Sequence, residues 1–319
     1  MSVKPLHVVA AAVVNERGEV LVARRHDHLH QGGLWEFPGG KVEPGEGGRH
    51  ALSRELQEEL GIRPLQQRPL IRVHHDYPDR SVLLDVWQVT AFSGTPHGRE
   101  GQPVEWVPAD ELHRREFPAA NLPILTAVRL PELYAITGEP EEGDEAFLAR
   151  LAQICAGGVR LVQLRAKSLS PERYLALAAE AVAVAHRHGA AILLNGDPQW
   201  VERTGADGVH LESRRLMALE GRPLAASRWV AASCHDPAEL AHAARIGVDF
   251  AVVSPVLPTR SHPGVATLGW AGLRALTEAA PMPVFALGGL GPDDCAQVQR
   301  FGAQGVAAIS ALWMPGGRP

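Results

Sequence analysis

Glu55, Glu58 and Glu59 crowd one short stretch, RELQEELGI, with no Lys or Arg between them. On a helix, spacings of three and four turn all three carboxylates the same way. A solvated acidic face is the plain reading, yet such a face ordinarily intersperses cations at helical spacing. Three carboxylates that raise one another's pKa are better matched to a hard divalent cation that takes carboxylate and substrate phosphate oxygens together. Mg2+ is the expected ion and Mn2+ the alternative. Upstream, FPGGKVEPGE puts Gly39 and Gly40 where a backbone carbonyl can approach that ion, which a side chain would obstruct. Glu46 and Arg54 also need roles, and Arg54 is placed to pair with a carboxylate and orient it.

These residues need a helix and a sheet to hold them. Leu52, Leu56 and Leu60 recur at four-residue spacing, which predicts a helix over 47–60 with Gly61 ending it. HVVAAAVV, EVLVARR and SVLLDVWQVTAF read as Val-rich strands, so residues 1–130 form an α+β domain with one strong helix. From 131 to 319 the rhythm changes. LYAITG, VRLVQLRA, AAILLNG, DGVHLES, WVAASCH, FAVVSPV, MPVFALGG and GVAAISAL are eight short apolar runs, most of them separated by Ala-rich helical segments. Such alternation implies parallel pairing and, with eight units, a closed α/β barrel of the TIM type. PEEGDE is read as the first strand-to-helix loop, and MPGGRP leaves the barrel without its last helix.

Composition narrows the partners. A chain of 319 residues, 45% hydrophobic and 21% charged, suits two globular domains. A net charge of −5 gives no basic footprint for a nucleic-acid polymer, so a small anionic substrate must be met locally. Cys155, Cys234 and Cys295 are too scattered for a metal motif or a disulfide framework and are expected to be reduced, in the cytoplasm. The N-terminal apolar run is too short to span a bilayer and reads as a first strand. An oligomer is compatible with all of this.

The pattern G-x5-E-x7-R-E-U-x-E-E-x-G-U, with U aliphatic, is filled at every position by Gly40, Glu46, Arg54, Glu55, Leu56, Glu58, Glu59, Gly61 and Ile62. It is the signature of the Nudix hydrolases, and the first domain is identified as resembling that family. The resemblance implies a mixed sheet with flanking helices and a diphosphate cleaved by metal-activated water. It further implies Glu55, Glu58, Glu59 and the Gly39 carbonyl as ligands, with Glu46 and Arg54 in support. Glu55 is the first choice of base and Glu100 the second.

Outside the signature, LWEFPGGKVEPGE, DYPDRSVLLDVW, REGQPVEW and FPAANLPIL resemble the MutT type, the 8-oxo-dGTP diphosphatases, in order and spacing. That resemblance implies Asn121 as the purine-reading amide, Arg25 and Arg80 as nucleotide contacts, and His30 and Phe37 near the base or sugar. Glu100 would be a further metal carboxylate. Singly, Asn121 reads as a turn residue, Phe37 as core and Arg80 as surface charge. His26, His28 and His30 alternate as metal ligands can, but read better as an exposed loop.

The barrel runs resemble thiamine-phosphate synthase and its relative TenI, a thiazole tautomerase. Gln163, Arg165, Lys167, Asn195, His235, Gly289 and Ser310 are the site residues so implied, with Gly288, Gly289 and Ser310 as a phosphate corner. Departures bear on the metal: Gly196 stands where the synthase pattern has an aspartate, Arg215 replaces another, and His262 replaces a lysine. The expected activity is therefore a Mg2+-dependent conversion of 8-oxo-dGTP to the monophosphate and pyrophosphate, beside a barrel degenerate for synthesis. Alternatives are a hydrolase of damaged thiamin diphosphates with a TenI-like barrel binding a phosphorylated thiazole, or a barrel that only binds phosphate.

Overall fold

The computed structural model describes residues 5–28, 31–78, 80–259 and 264–314. The chain divides into two compact units, Met1–Arg129 and Leu130–Pro319. In the first, the strands are β1 (Leu6–Val14), β2 (Glu19–Arg24), β3 (Trp35–Glu36), β4 (Gly39–Lys41), β5 (Arg63–Asp76), β6 (Ser81–Ser93) and β7 (Val104–Pro108), with helices α1 (Gly48–Leu60) and α2 (Leu122–Arg129). The sheet runs β3-β2-β1-β6-β5, with β4 also on β1 and β7 also on β2. Among the described residues β1 and β6 pair in parallel and the other strand pairs are antiparallel, so the sheet is mixed.

The unbroken apolar run of β1 follows from burial on both faces. Val9, Ala11 and Val13 pack with Leu52, Leu56 and Leu60 of α1, while Ala10 and Ala12 join Ile124 and Leu125 of α2. The helix α1 has Gly47 as its N-cap, with no capping side chain. Asp85 of β6, itself buried and 3.3 Å from Arg72, brings a carboxylate against Gly48 and so sets negative charge at the helix start. At the other end Gly61, at φ 71°, turns the backbone left-handed.

Five elements of this unit were not anticipated, among them β3 and β4, which at two and three residues are too short to show alternation. Helix α2 begins inside FPAANLPIL, where no long apolar stripe marks it. The strand β5 carries Pro64 and Pro69 and is bulged beside both, which broke its alternation. The five-residue β7 carries Glu105 and Pro108 within a stretch that reads as a turn region.

The second unit is a closed parallel barrel. Its strands are β8 (Leu133–Ile136), β9 (Leu161–Leu164), β10 (Ala191–Asn195), β11 (Gly208–Leu211), β12 (Trp229–Cys234), β13 (Phe250–Val253), β14 (Val284–Leu287) and β15 (Gly305–Ala308). They correspond to the eight apolar runs, and β15 pairs with β8 to close the ring. Around it lie α3 (Asp144–Ala156), α4 (Pro171–Arg187), α5 (Gln199–Thr204), α6 (Ser213–Met217), α7 (Pro237–Ile246), α8 (Gly269–Ala279), α9 (Cys295–Arg300) and α10 (Ser310–Trp313). Helix α10 corrects the expectation that nothing helical follows the last strand: one turn is present, because Trp313 buries its ring against Phe147. PEEGDE lies in the β8–α3 connection, as expected.

The barrel interior is apolar, with Tyr134, Phe250 and Phe285 at its centre, except for one polar chain. His210 sits 3.2 Å from the Tyr134 hydroxyl and 2.8 Å from Ser233 Oγ, and Gln163 donates to Tyr134 at 3.4 Å. Burial alone pushes the His210 pKa down to about 3. All three cysteines are free thiols, and among the described residues no helix is long and apolar enough to cross a membrane.

Candidate active site

A cleft of about 350 Å3 opens over β1 and the β3–β4 turn of the first unit. Arg25, Phe37, Gly39, Glu59, Arg80, Glu100 and Asn121 all line it. These residues are scattered over a hundred positions of sequence, and the sheet brings them to one hollow. His30 lies outside the described residues. His26 and His28 stand in the loop after β2 with their rings stacked at 5.5 Å.

The remaining signature residues gather against Gly40 and Lys41. Arg54 is their hub: it donates to Glu46 twice, at 3.2 and 3.0 Å, to Glu55 at 2.9 Å, to Glu58 at 3.2 Å and to the Lys41 carbonyl at 3.0 Å. Only a planar guanidinium with several fixed donors can span such a set. The bonds from Arg54 hold Glu46 below the usual carboxylate range, and those to Glu46 and Glu55 raise the guanidinium's own pKa. The glutamate cluster is therefore not uncompensated: its cation is Arg54, which precedes Glu55 and lies four residues before Glu58.

The three glutamates also do not face one way. Glu58 is 56% exposed at its side chain and Glu55 only 14%, while Glu59 turns under the sheet to accept from the Gly39 N–H at 3.0 Å. Burial pushes the Glu59 pKa up to about 8; the Gly39 bond opposes this, and the nearby charges of Glu36, Glu55 and Glu100 add to it. Among the described residues, no three Asp, Glu, His or Cys side chains converge closely enough to hold a metal ion by themselves. The donor set nonetheless fits a hard divalent cation. Glu59 is a desolvated carboxylate with like charges around it, the situation a cation relieves.

Both glycines of the Gly39–Gly40 pair are required, for different reasons. Gly39 has φ +153°, and a Cβ there would lie 2.1 Å from the Val9 carbonyl oxygen. At Gly40 a Cβ would lie 2.2 Å from Cδ of Glu55, so this glycine makes room for the carboxylate itself.

Two residues, Glu36 and Gln102, escaped the sequence reading, and Phe37 keeps both of the roles read for it. Glu36 lines the cleft and forms an ion pair with Arg25; burial raises its pKa and Arg25 opposes the rise. Gln102 ties two parts of the site together, accepting from the Glu100 N–H at 2.9 Å and donating to the Glu59 carbonyl at 3.2 Å. Phe37 lines the cleft, but its ring is buried and stacked on Phe117 at 5.7 Å, so it serves the core as well. Only the cross-strand pairing of β2 and β3 could have revealed Glu36.

In the barrel, a hollow of about 260 Å3 at the ends of β9, β10 and β11 is lined by Lys167, Tyr174, Asn195, Gly196, Trp200, Glu212 and Arg215. Lys167 pairs with Glu212, and Arg215 lies 3.4 Å from Asp197. A Cβ on Gly196 would meet the Trp200 ring at 2.7 Å, so an aspartate there would displace the ring. With Arg215 on Asp197 and Lys167 on Glu212, both carboxylates already have cations of the chain against them, and these residues do not fit the Mg2+ of a synthase. Gln163 is turned into the barrel interior, where it donates to the Tyr134 hydroxyl. The Arg165 backbone exchanges hydrogen bonds with the Thr137 side chain, fixing the start of its loop. His235 is exposed, with Nδ1 3.0 Å from the Ser254 carbonyl. Gly289, at φ +65°, packs against Pro258, and Ser310 opens α10; His262 lies outside the described residues.

Sheet, carboxylate helix and cleft define the first unit as a hydrolase domain of the Nudix type, and the second unit is a parallel barrel. Residues 9–127 match the family model described as NUDIX domain, and residues 133–312 match that described as Thiamine monophosphate synthase. The 8-oxo-dGTP diphosphatase of Escherichia coli (strain K12) is 38% identical over 126 residues, 40% of this chain and 98% of that protein. The CTP pyrophosphohydrolase of the same organism is 39% identical over 119 residues, 37% of this chain and 88% of that protein. A putative thiamine-phosphate synthase of Geobacter sulfurreducens is 38% identical over 182 residues, 56% of this chain and 85% of that protein. The chain belongs to the Nudix hydrolase family through its first unit and to the thiamine monophosphate synthase family through its second.

Proposed function

We propose that the first unit hydrolyses 8-oxo-dGTP to 8-oxo-dGMP and pyrophosphate, with Mg2+ as its cation, and so keeps oxidised guanine out of DNA. The observation that carries this reading is the meeting of Asn121, Arg25 and Arg80 with Gly39, Glu59 and Glu100 around one cleft. An amide that both donates and accepts suits the edge of an oxidised purine, and the arginines suit an anionic nucleotide. Glu55, Glu58, Glu59, Glu100 and the Gly39 carbonyl would hold the cation, which when bound neutralises phosphate charge and lowers the pKa of water. Glu55, seated on Gly40 and held by Arg54, takes the proton, and Glu100 is the second candidate.

The similarity to a CTP pyrophosphohydrolase names the rival substrate. The test compares kcat/KM for 8-oxo-dGTP, dGTP, CTP and thiamin-type diphosphates. The expected preference for 8-oxo-dGTP over dGTP is on the order of a hundredfold or more, and Asn121→Ala abolishes it. Equal rates on the two guanine nucleotides would refute the sanitising role, and a preference for a thiamin diphosphate would move the enzyme to thiamin metabolism.

For the barrel we propose ligand binding without synthesis. A second reading, a TenI-like tautomerase, is favoured by one observation. A carbonyl oxygen only accepts, so the contact with Ser254 calls for a proton on Nδ1 of His235, and in the neutral ring Nε2 is then the acceptor, the form a general base needs. Thiazole tautomer turnover that is lost in His235→Ala would establish it.

A further inference from the structure

We propose that Glu36 is a positioning residue of the cleft, which presents the Arg25 guanidinium to the nucleotide and acts through Arg25 rather than on the cation or the phosphates. The proposal rests on the nucleotide-hydrolase reading above. It starts from strand register. In the β2–β3 pair, Ala23 stands directly opposite Glu36. The Arg25 N–H bond to Leu34 carries the pairing one residue past β2, and alternation then puts the side chains of Ala23 and Arg25 on one face, shared with Glu36. Ala23 is too short to occupy Glu36, so the glutamate reaches diagonally to Arg25.

The resulting ion pair is not a surface decoration. The side chains of Arg25 and Glu36 are only 27% and 29% exposed, and both line the cleft with Arg80 and Asn121. The Arg25 backbone is fixed too: its N–H donates to the Leu34 carbonyl at 2.9 Å, and its carbonyl accepts from the Gly33 N–H at 3.1 Å. A tethered arginine surrenders less rotamer freedom when a nucleotide binds, so the tether belongs to affinity. Pairing also offsets part of the Glu36 charge, which alone would repel an anionic substrate more strongly.

The test is a kinetic double-mutant cycle on the full chain. It covers the wild type, Glu36→Ala, Glu36→Gln, Glu36→Asp, Arg25→Ala and Glu36→Ala with Arg25→Ala, each on whichever triphosphate the wild type turns over fastest. Glu36→Ala is expected to raise KM about tenfold with kcat within about threefold, the pattern of lost ground-state binding. Glu36→Gln, which keeps an oxygen for Arg25, recovers KM to within about threefold, whereas Glu36→Asp, one methylene short, does not. In the Arg25→Ala background, Glu36→Ala adds no further change. A fall in kcat at unchanged KM, a Gln variant as damaged as Ala, or additive effects in the cycle would each overturn the proposal. Should Glu36→Ala not fold, the opposed expectations for Gln and Asp decide the matter. A wild type that prefers CTP refutes the substrate reading alone and leaves this test intact.

Discussion

Gly40→Ala probes the catalytic geometry with a single methyl group. An added Cβ would stand 2.2 Å from Cδ of Glu55, where ordinary contact begins at 3.4 Å, so the carboxylate must withdraw by about 1.2 Å. The obstructing atom is the far end of a flexible side chain, so the fold can yield at small cost and the melting temperature should stay close to that of the wild type. Catalysis cannot yield as cheaply. A misplacement on the order of 1 Å at a reacting group costs roughly a hundredfold, about 2.7 kcal/mol in the barrier. Steady-state kcat on the preferred nucleotide, measured at saturating Mg2+ beside thermal melts, reads both quantities. Gly47→Ala is the matched control, since nothing lies within 4 Å of a Cβ there and φ is −83°. A Gly40→Ala enzyme with kcat within threefold of the wild type would show that Glu55 need not sit on Gly40, and the assignment of Glu55 as base would go with it.

Arg54→Lys keeps the charge but loses the fork that spans Glu46, Glu55 and Glu58. It should lower kcat by roughly ten- to a hundredfold with the far-UV spectrum unchanged, and a wild-type rate would remove Arg54 as organiser. His210 predicts a pH effect in the barrel. Its folded pKa of about 3 lies below the unfolded value of about 6.5, so between those values the unfolded chain binds the proton and stability falls as pH falls. At pH 5 the loss relative to neutral pH is about 2 kcal/mol, and His210→Gln should lack it. Urea unfolding of the barrel at pH 7.5 and 5 checks this, and parallel losses in the two proteins would contradict it.

What the sequence made legible was periodic or local. Leu52, Leu56 and Leu60 announce α1 because four-residue spacing is a helix property. The eight barrel runs are visible because each is buried on both faces and bounded by turns. Strand β5 was hidden by its prolines and bulges, and α2 by its brevity. The same division holds at the site. Arg54 and the glutamates share one helix, so their pairing could be anticipated, although not its breadth. Glu36 and Arg25 meet only because β2 and β3 pair in one register, and Gln102 meets Glu59 only through the fold. Nor could spacing show Glu59 turned inward and Glu58 outward, since packing against the Gly39 N–H decides that.

The seam between β8 and β15 bears on how the chain is made. A polypeptide leaves the ribosome from its N-terminus, and every strand partner of the first sheet is present once Pro108 has emerged. The barrel must wait: Ala135 meets Val162 early, but its other neighbour is Ala308. Until then β8 keeps one raw edge, which is the state most open to pairing with a wrong chain. A translational stall or premature stop within the barrel thus spares the strands that carry the cleft of the first unit, and it leaves the ring unclosed.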